Sequence, residues 1–185
     1  MKGQEYLRTP SGRVWNVRQP NPASIHWPDV AEIAAKSCYL QGAARGGMFS
    51  YAQIACLAHD QVDAENRVTA LLLPASYAIV LHASRAVRTS PRDLGDPFIA
   101  TLCDRSGDPG AMADEWPPAA TACVKAICLA GMHDLLMPVD PRLRVWTSAN
   151  APRPQTVPLI TPWPWAPAAD EWLRRARLAG LTWEG

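Results

Sequence analysis

No apolar run in this sequence of 185 residues approaches the roughly 18 needed to span a bilayer. The first stretch, Met1 to Arg13, is polar and lacks the apolar centre of a secretion signal. An excess of charge is missing as well. The formal net charge is +1, which removes any global electrostatic case for a nucleic-acid or membrane partner. Paired cysteine motifs are absent: Cys38, Cys56, Cys103, Cys123 and Cys128 are odd in number and form no CxxC pair. Cys38, Cys56 and Cys123 sit among apolar residues, as reduced buried thiols do. There is no internal repeat, and strand signals are few, Arg13-Val14-Trp15-Asn16-Val17 being the best. These absences predict a cytoplasmic protein with free thiols.

What is present is ordinary for a folded protein: 48% apolar and 19% charged residues, in a length that suits one domain over residues 1–185. Trp27-Pro28-Asp29 opens a helix whose apolar stripe is Val30, Ile33 and Ala34. Ser50 reads as the N-cap of a second helix carrying Ala52, Ala55, Cys56 and Leu57. Asp63 reads as the cap of a third helix through Val68, Leu71 and Leu72. Pro74 is expected to break it, with a new helix following from Ala78 to Val87. A further helix starts near Pro117-Pro118 and runs through Val124, Ile127 and Leu135. Eight of the 18 prolines fall between Pro138 and Pro167, predicting an extended segment over 138–166 packed on the helical body. The last helix is expected from Pro167, with Asp170 and Glu171 early and Arg174, Arg175 and Arg177 late, in accord with the helix dipole. The fold class is therefore all-α, with at most a small β element near the N-terminus.

Several segments, taken in order, resemble one family. Thr9-Pro10-Ser11-Gly12-Arg13-Val14-Trp15 followed by Pro20-Asn21-Pro22, then Asp29-Val30-Ala31-Glu32-Ile33-Ala34 and Gly42, resemble the opening of the HD-domain phosphohydrolases related to bacterial 5'-deoxynucleotidases. Phe49-Ser50-Tyr51-Ala52-Gln53 resembles the stretch that leads into that family's first histidine ligand, and Ala70-Leu71-Leu72 the one before its His-Asp pair. Leu159-Ile160-Thr161-Pro162-Trp163 and Ala168-Ala169-Asp170-Glu171-Trp172-Leu173 resemble its closing helix. The resemblance implies an HD-like helical bundle.

It also implies a divalent metal held by a histidine, a His-Asp pair and a later aspartate, since such ligands let the cation activate water and offset phosphate charge. Every one of those positions is replaced here. Ile54 stands where the first histidine belongs; Leu73 and Pro74, nineteen residues on, replace His-Asp. Ser76 and Tyr77 stand where the family has further polar catalytic groups, and the stretch from Val124 to Cys128 that should hold the last aspartate has no acid. A buried His-Asp cluster without its metal would cost several kcal/mol, so apolar replacement is the stable alternative. No cofactor is therefore expected.

Two literal His-Asp dipeptides remain, His59-Asp60 and His133-Asp134. A relocated metal site built from His26, His59, Asp60 and Asp134 is the sharp reading; polar helix ends are the plainer one. His82 has no second ligand at i+4 and reads as a surface or satisfied group. Arg13, Arg45, Gln53 and Lys125 lie on segments that border the nucleotide pocket in the family, so they are candidates for a phosphate-binding remnant. Against that, Gln53 could cap local backbone. The tryptophans of the tail, Trp146, Trp163, Trp165 and Trp172, more readily pin an extended segment than stack on bases. The expectation is a catalytically inactive HD-fold protein that binds a protein partner or forms a homo-oligomer, a dimer by base rate. Contact surfaces would be the Gly95 to Trp116 loop and the Trp/Pro tail. The alternatives are a nucleotide phosphohydrolase with relocated ligands and a non-catalytic nucleotide sensor.

Overall fold

The computed structural model describes residues 6–42, 47–108, 116–135 and 152–183. These contain six α-helices and two small two-stranded antiparallel sheets, so the chain is mostly helical.

The first sheet pairs β1 (Tyr6–Arg8) with β2 (Val14–Asn16), placing Leu7 opposite Trp15. Gly12 permits the intervening turn by adopting φ +85°, and Thr9 N–H donates to the Arg13 carbonyl at 2.8 Å. Trp15 is fully buried and its indole N–H donates to the Ser24 carbonyl. Helix α1 (Trp27–Lys36) begins with Pro28 in its first turn. Its buried Asp29 carboxylate accepts from both the backbone N–H and the hydroxyl of Ser11, each at 2.8 Å, which ties the hairpin turn to the helix start.

The second sheet, β3 (Cys38–Gly42) with β4 (Gly47–Ser50), was not expected. It carries a bulge: Cys38 pairs with Ser50 and Leu40 with Phe49, leaving Tyr39 as the extra residue. Helix α2 (Tyr51–Gln61) follows at once, and the Ser50 hydroxyl accepts from the Gln53 N–H, as the sequence predicts.

Helix α3 (Arg67–Val87) corrects two expectations. Asp63 does not cap it; that residue heads a one-turn 3-10 segment, Ala64–Asn66, without a side-chain cap bond. Pro74 does not break it either, but sits inside 21 continuous helical residues. An interior proline costs about 3 kcal/mol. Leu71, Leu72 and Ile79, fully buried on both sides of it, each contribute about 1.5–3 kcal/mol through burial, so packing outweighs the defect.

The expected loop after Gly95 is helical as well, as far as Ser106. Helix α4 (Pro91–Ser106) is capped by the Ser90 hydroxyl and ends at Gly107 with φ +67°. Leu94, Phe98 and Leu102 recur every fourth residue and form its buried stripe, while Pro97 lies on the exposed face, where water can satisfy the carbonyl it strips of a partner. Residues 109–115 of that expected loop lie outside the described residues. Helix α5 (Pro118–Leu135) starts where the proline pair predicts.

Helix α6 (Trp165–Leu178) starts two residues earlier than expected. Pro167 then falls within the first turn, where a missing N–H costs nothing, and Asp170 and Glu171 come after that turn. Before α6 the residues 152–164 form neither helix nor strand and make a turn at Gln155-Thr156; residues 138–151 of the expected extended segment lie outside the described residues, and residues 165–166 belong to α6.

Burial divides into two clusters. The larger is filled by Trp15, Trp27, Leu71, Leu72, Ile79, Leu94, Phe98, Leu102 and Trp172, the last packing on Trp27 at 6.2 Å between ring centroids. The smaller joins Phe49, Ile54, Ala58, Ala70, Ile127, Ala130 and Leu135 to Val157 and Ile160 of the segment before α6. Helix α5 approaches Phe49 closely: a Cβ on Gly131 would lie 2.5 Å from a ring carbon. By length and composition the helical stretch from Ala64 to Val87 could cross a bilayer, yet 72% of its most apolar window is buried inside the protein.

Candidate functional site

Three helices each present two residues one turn apart to a common space. These are Tyr51 and Ile54 on α2, Pro74 and Tyr77 on α3, and Val124 and Cys128 on α5. Tyr39, the bulged residue of β3, completes the wall. Together they line a cavity of about 230 Å³ in which no side chain carries a formal charge at neutral pH.

The bulge matters here because it frees Tyr39 from strict alternation and turns its ring toward α2. That ring meets Tyr51 edge-on at 5.7 Å and Phe49 edge-on at 6.3 Å, the favoured geometry for aromatic pairs. Its phenol shares the cavity with the Cys128 thiol. Burial, reinforced by Cys128, lifts the Tyr39 phenol far above its ordinary range. Burial likewise pushes the Cys128 thiol up to about 11, against a small opposing pull from Tyr39. Tyr51 is raised by burial and by Cys128 in the same way. Burial thus disfavours the ionised forms of Tyr39, Tyr51 and Cys128, the opposite of what activates a nucleophile.

The positions singled out in the sequence meet here in part. Ile54, Pro74 and Tyr77 line the cavity, together with Val124 and Cys128 at the two ends of the stretch without an acid. Leu73 is buried but does not line it, and Ser76 is buried with its hydroxyl donating to the Leu73 carbonyl at 2.8 Å. Ile, Leu, Pro and Val have no donor atom for a cation, so this set does not fit the divalent metal that the sequence resemblance implies.

The relocated set fails to assemble. Among the described residues no group of three or more His, Cys, Asp and Glu side chains could hold a metal ion, so His26, His59, Asp60 and Asp134 do not form a site. His26 faces Asp29 at 3.4 Å. The His59 Nδ1 donates to Asp60 at 3.0 Å, and Arg175 grips the same carboxylate through Nε at 2.9 Å and Nη2 at 2.6 Å. Asp134 receives Arg153 in a bidentate pair, both contacts 2.8 Å, and the Ile160 N–H at 2.9 Å.

The four candidates for a phosphate remnant are also dispersed. Gln53 is buried, and its amide is committed to backbone 108 and 110 residues away: it donates to the Thr161 carbonyl at 2.8 Å and accepts from the Trp163 N–H at 3.0 Å. Arg13 is exposed and borders a different cleft, of about 430 Å³, with His26, Arg105, Thr182 and Trp183. Lys125 is exposed on α5. Arg45 and Trp146 lie outside the described residues. His82 is half-buried, and burial followed by the nearby Arg85 lowers its pKa.

Sequence reasoning missed Tyr39, Tyr51 and Cys128 as cavity walls and Arg153 and Arg175 as anchors. The signal for two of them was present. Tyr51 stands three residues before Ile54 and Cys128 four after Val124, which puts each on the same helical face as a position already singled out. Tyr39 depends on a bulge that no local pattern announces. No protein-family model matches the chain, and no curated protein matches it either.

Proposed function

We propose that this chain is a degenerate HD-type phosphohydrolase that has lost its metal chemistry and acts by binding a protein partner or a second copy of itself. The observation that supports this most is the meeting of Ile54, Pro74, Tyr77 and Val124 in one apolar cavity. In the sequence resemblance these positions carry, or adjoin, the ligands and polar groups of a hydrolytic centre. An active centre that lost its metal would be expected to exchange its ligands for carbon, because unpaired buried ligands are costly. The exposed Leu159 and Trp165 on the tail offer contact surface for a partner.

Elemental analysis of untagged protein tests the loss of chemistry, paired with hydrolysis assays on nucleoside monophosphates in added Mn²⁺. The expected outcome is no stoichiometric metal and no turnover; a retained transition metal at one per chain would sink the proposal. A combined I54H/L73H/P74D/V124D variant should acquire Co²⁺ binding if these positions descend from a metal centre. Light scattering over a concentration series reads self-assembly.

One observation favours a second reading, nucleotide sensing. Arg13 and Arg105 converge with His26 on the 430 Å³ cleft, which puts cationic groups around a space that could take an anion. Melting curves with nucleotides, with and without Mg²⁺, check it: an Arg13→Ala variant should lose any rise that the parent shows.

A further inference from the structure

The cavity between α2, α3 and α5 has walls, a mouth and a consistent chemistry. Ile54 is 1% exposed at its base, while Tyr77 is 51% exposed at its rim, so the space opens to solvent past a tyrosine ring. Three phenol rings, a proline, two aliphatic side chains and one thiol form the lining. Among the described residues no lysine, arginine, histidine or carboxylate does, and Arg85 bears on Tyr51 only from outside the lining, so a charged ligand would lose its hydration without a direct ion pair to replace it.

We infer that this cavity is a binding site for a neutral aromatic molecule of one or two rings. Size supports the class. An apolar cavity of about 150 Å³ takes up benzene. Scaling by volume, the 230 Å³ here corresponds to about nine heavy atoms, the size of indole or a small substituted phenol. Ring geometry supports it too. Tyr39 and Tyr51 stand at 79° to one another, so a ring placed against one face meets the other edge-on. The polar handles are the phenol hydroxyls and the Cys128 thiol, which suit a single N–H or O–H on the ligand. The role is capture without covalent chemistry. This inference rests on the geometry of the cavity and does not require descent from a metal centre; metal analysis tests the descent and aromatic binding tests the cavity.

Calorimetric titration of the full chain with indole, phenol, benzoate and inorganic phosphate is the test, alongside melting curves. Indole should bind one per chain with a Kd on the order of 0.1 mM, from about nine heavy atoms at intermediate ligand efficiency. At ten times that concentration the melting temperature should rise by about 3–6 °C. Phenol should bind more weakly, and benzoate and phosphate should give no heat. Val124→Trp fills the cavity from its partly exposed wall and should weaken indole binding at least tenfold while the melting temperature holds or rises. Should that variant fail to fold, Tyr77→Ala at the exposed rim serves instead, with an expected loss of several-fold. Absence of indole binding to the parent, or undiminished binding to a folded Val124→Trp or Tyr77→Ala variant, would overturn the assignment.

Discussion

The chain that follows α5 is fastened to the helical body at two places, and the two fastenings bury opposite charges. At the end of α5 the anion is inside: the Asp134 side chain is 6% exposed while Arg153 is 24% exposed. Where α6 meets α2 the cation is inside, with Arg175 at 9% and Asp60 at 46%. The buried guanidinium has alternatives, since it also bonds the Glu171 carboxylate and the Glu171 carbonyl. The buried carboxylate takes two of its strongest bonds from a single arginine, which in turn gathers the Pro154, Val157 and Pro158 carbonyls of the segment before α6. Arg175 divides its charge-assisted bonds between two carboxylates, while Arg153 brings both of its own to one. Between them lies Gln53, which holds the tail by hydrogen bonds alone.

That contrast can be broken by mutation. Arg153→Ala should be the most damaging change, at about 3 kcal/mol, because it strips two charge-assisted bonds from a buried carboxylate and frees three carbonyls at once; chemical denaturation reads it directly. Asp60→Asn should cost about 1 kcal/mol or less, since its carboxylate is nearly half exposed and Arg175 retains Glu171. If the two losses prove equal, the asymmetry argued here is wrong. The smallest effect concerns pH. Burial holds the His59 imidazole below its ordinary 6.5, outweighing the upward pull of the Asp60 hydrogen bond. The unfolded chain therefore takes up a proton at His59 before the folded one does. Its contribution is complete above pH 6.5 and is lost as pH falls through the lower folded value. Melting temperature should drop from pH 7.5 to 5.5, and His59→Gln should flatten the slope, leaving the part due to His82.

Much of the architecture was legible in the sequence, and the misses have particular causes. The Ser50 cap and the start of α5 each rest on a local signal that nothing in the tertiary structure opposes. Pro74 was misread because a helix-breaking residue acts locally, whereas the leucines that overrule it act through packing. In α4, Gly95 and Pro97 hid a fourfold repeat of Leu94, Phe98 and Leu102 that was there to be counted. Ile54, Pro74 and Tyr77, which the sequence singles out as positions of lost ligands, line one cavity, although nothing in the sequence announces the cavity itself. A relocated cluster of His26, His59, Asp60 and Asp134 is conceivable on paper because sequence carries no distances; among the described residues the fold brings no three such groups together.

Gln53 also bears on the order in which the molecule can be assembled. Its two partners are made 108 and 110 residues after it. At a synthesis rate of about 5–20 residues per second, roughly 6–22 s separate them. During that interval α2 can pair with α3, but the amide at the buried face of α2 has only water to bond and the smaller cluster lacks Val157 and Ile160. The nascent chain thus waits with one flank hydrated, and closing a loop of this length becomes a late step of folding, after the local helices have formed.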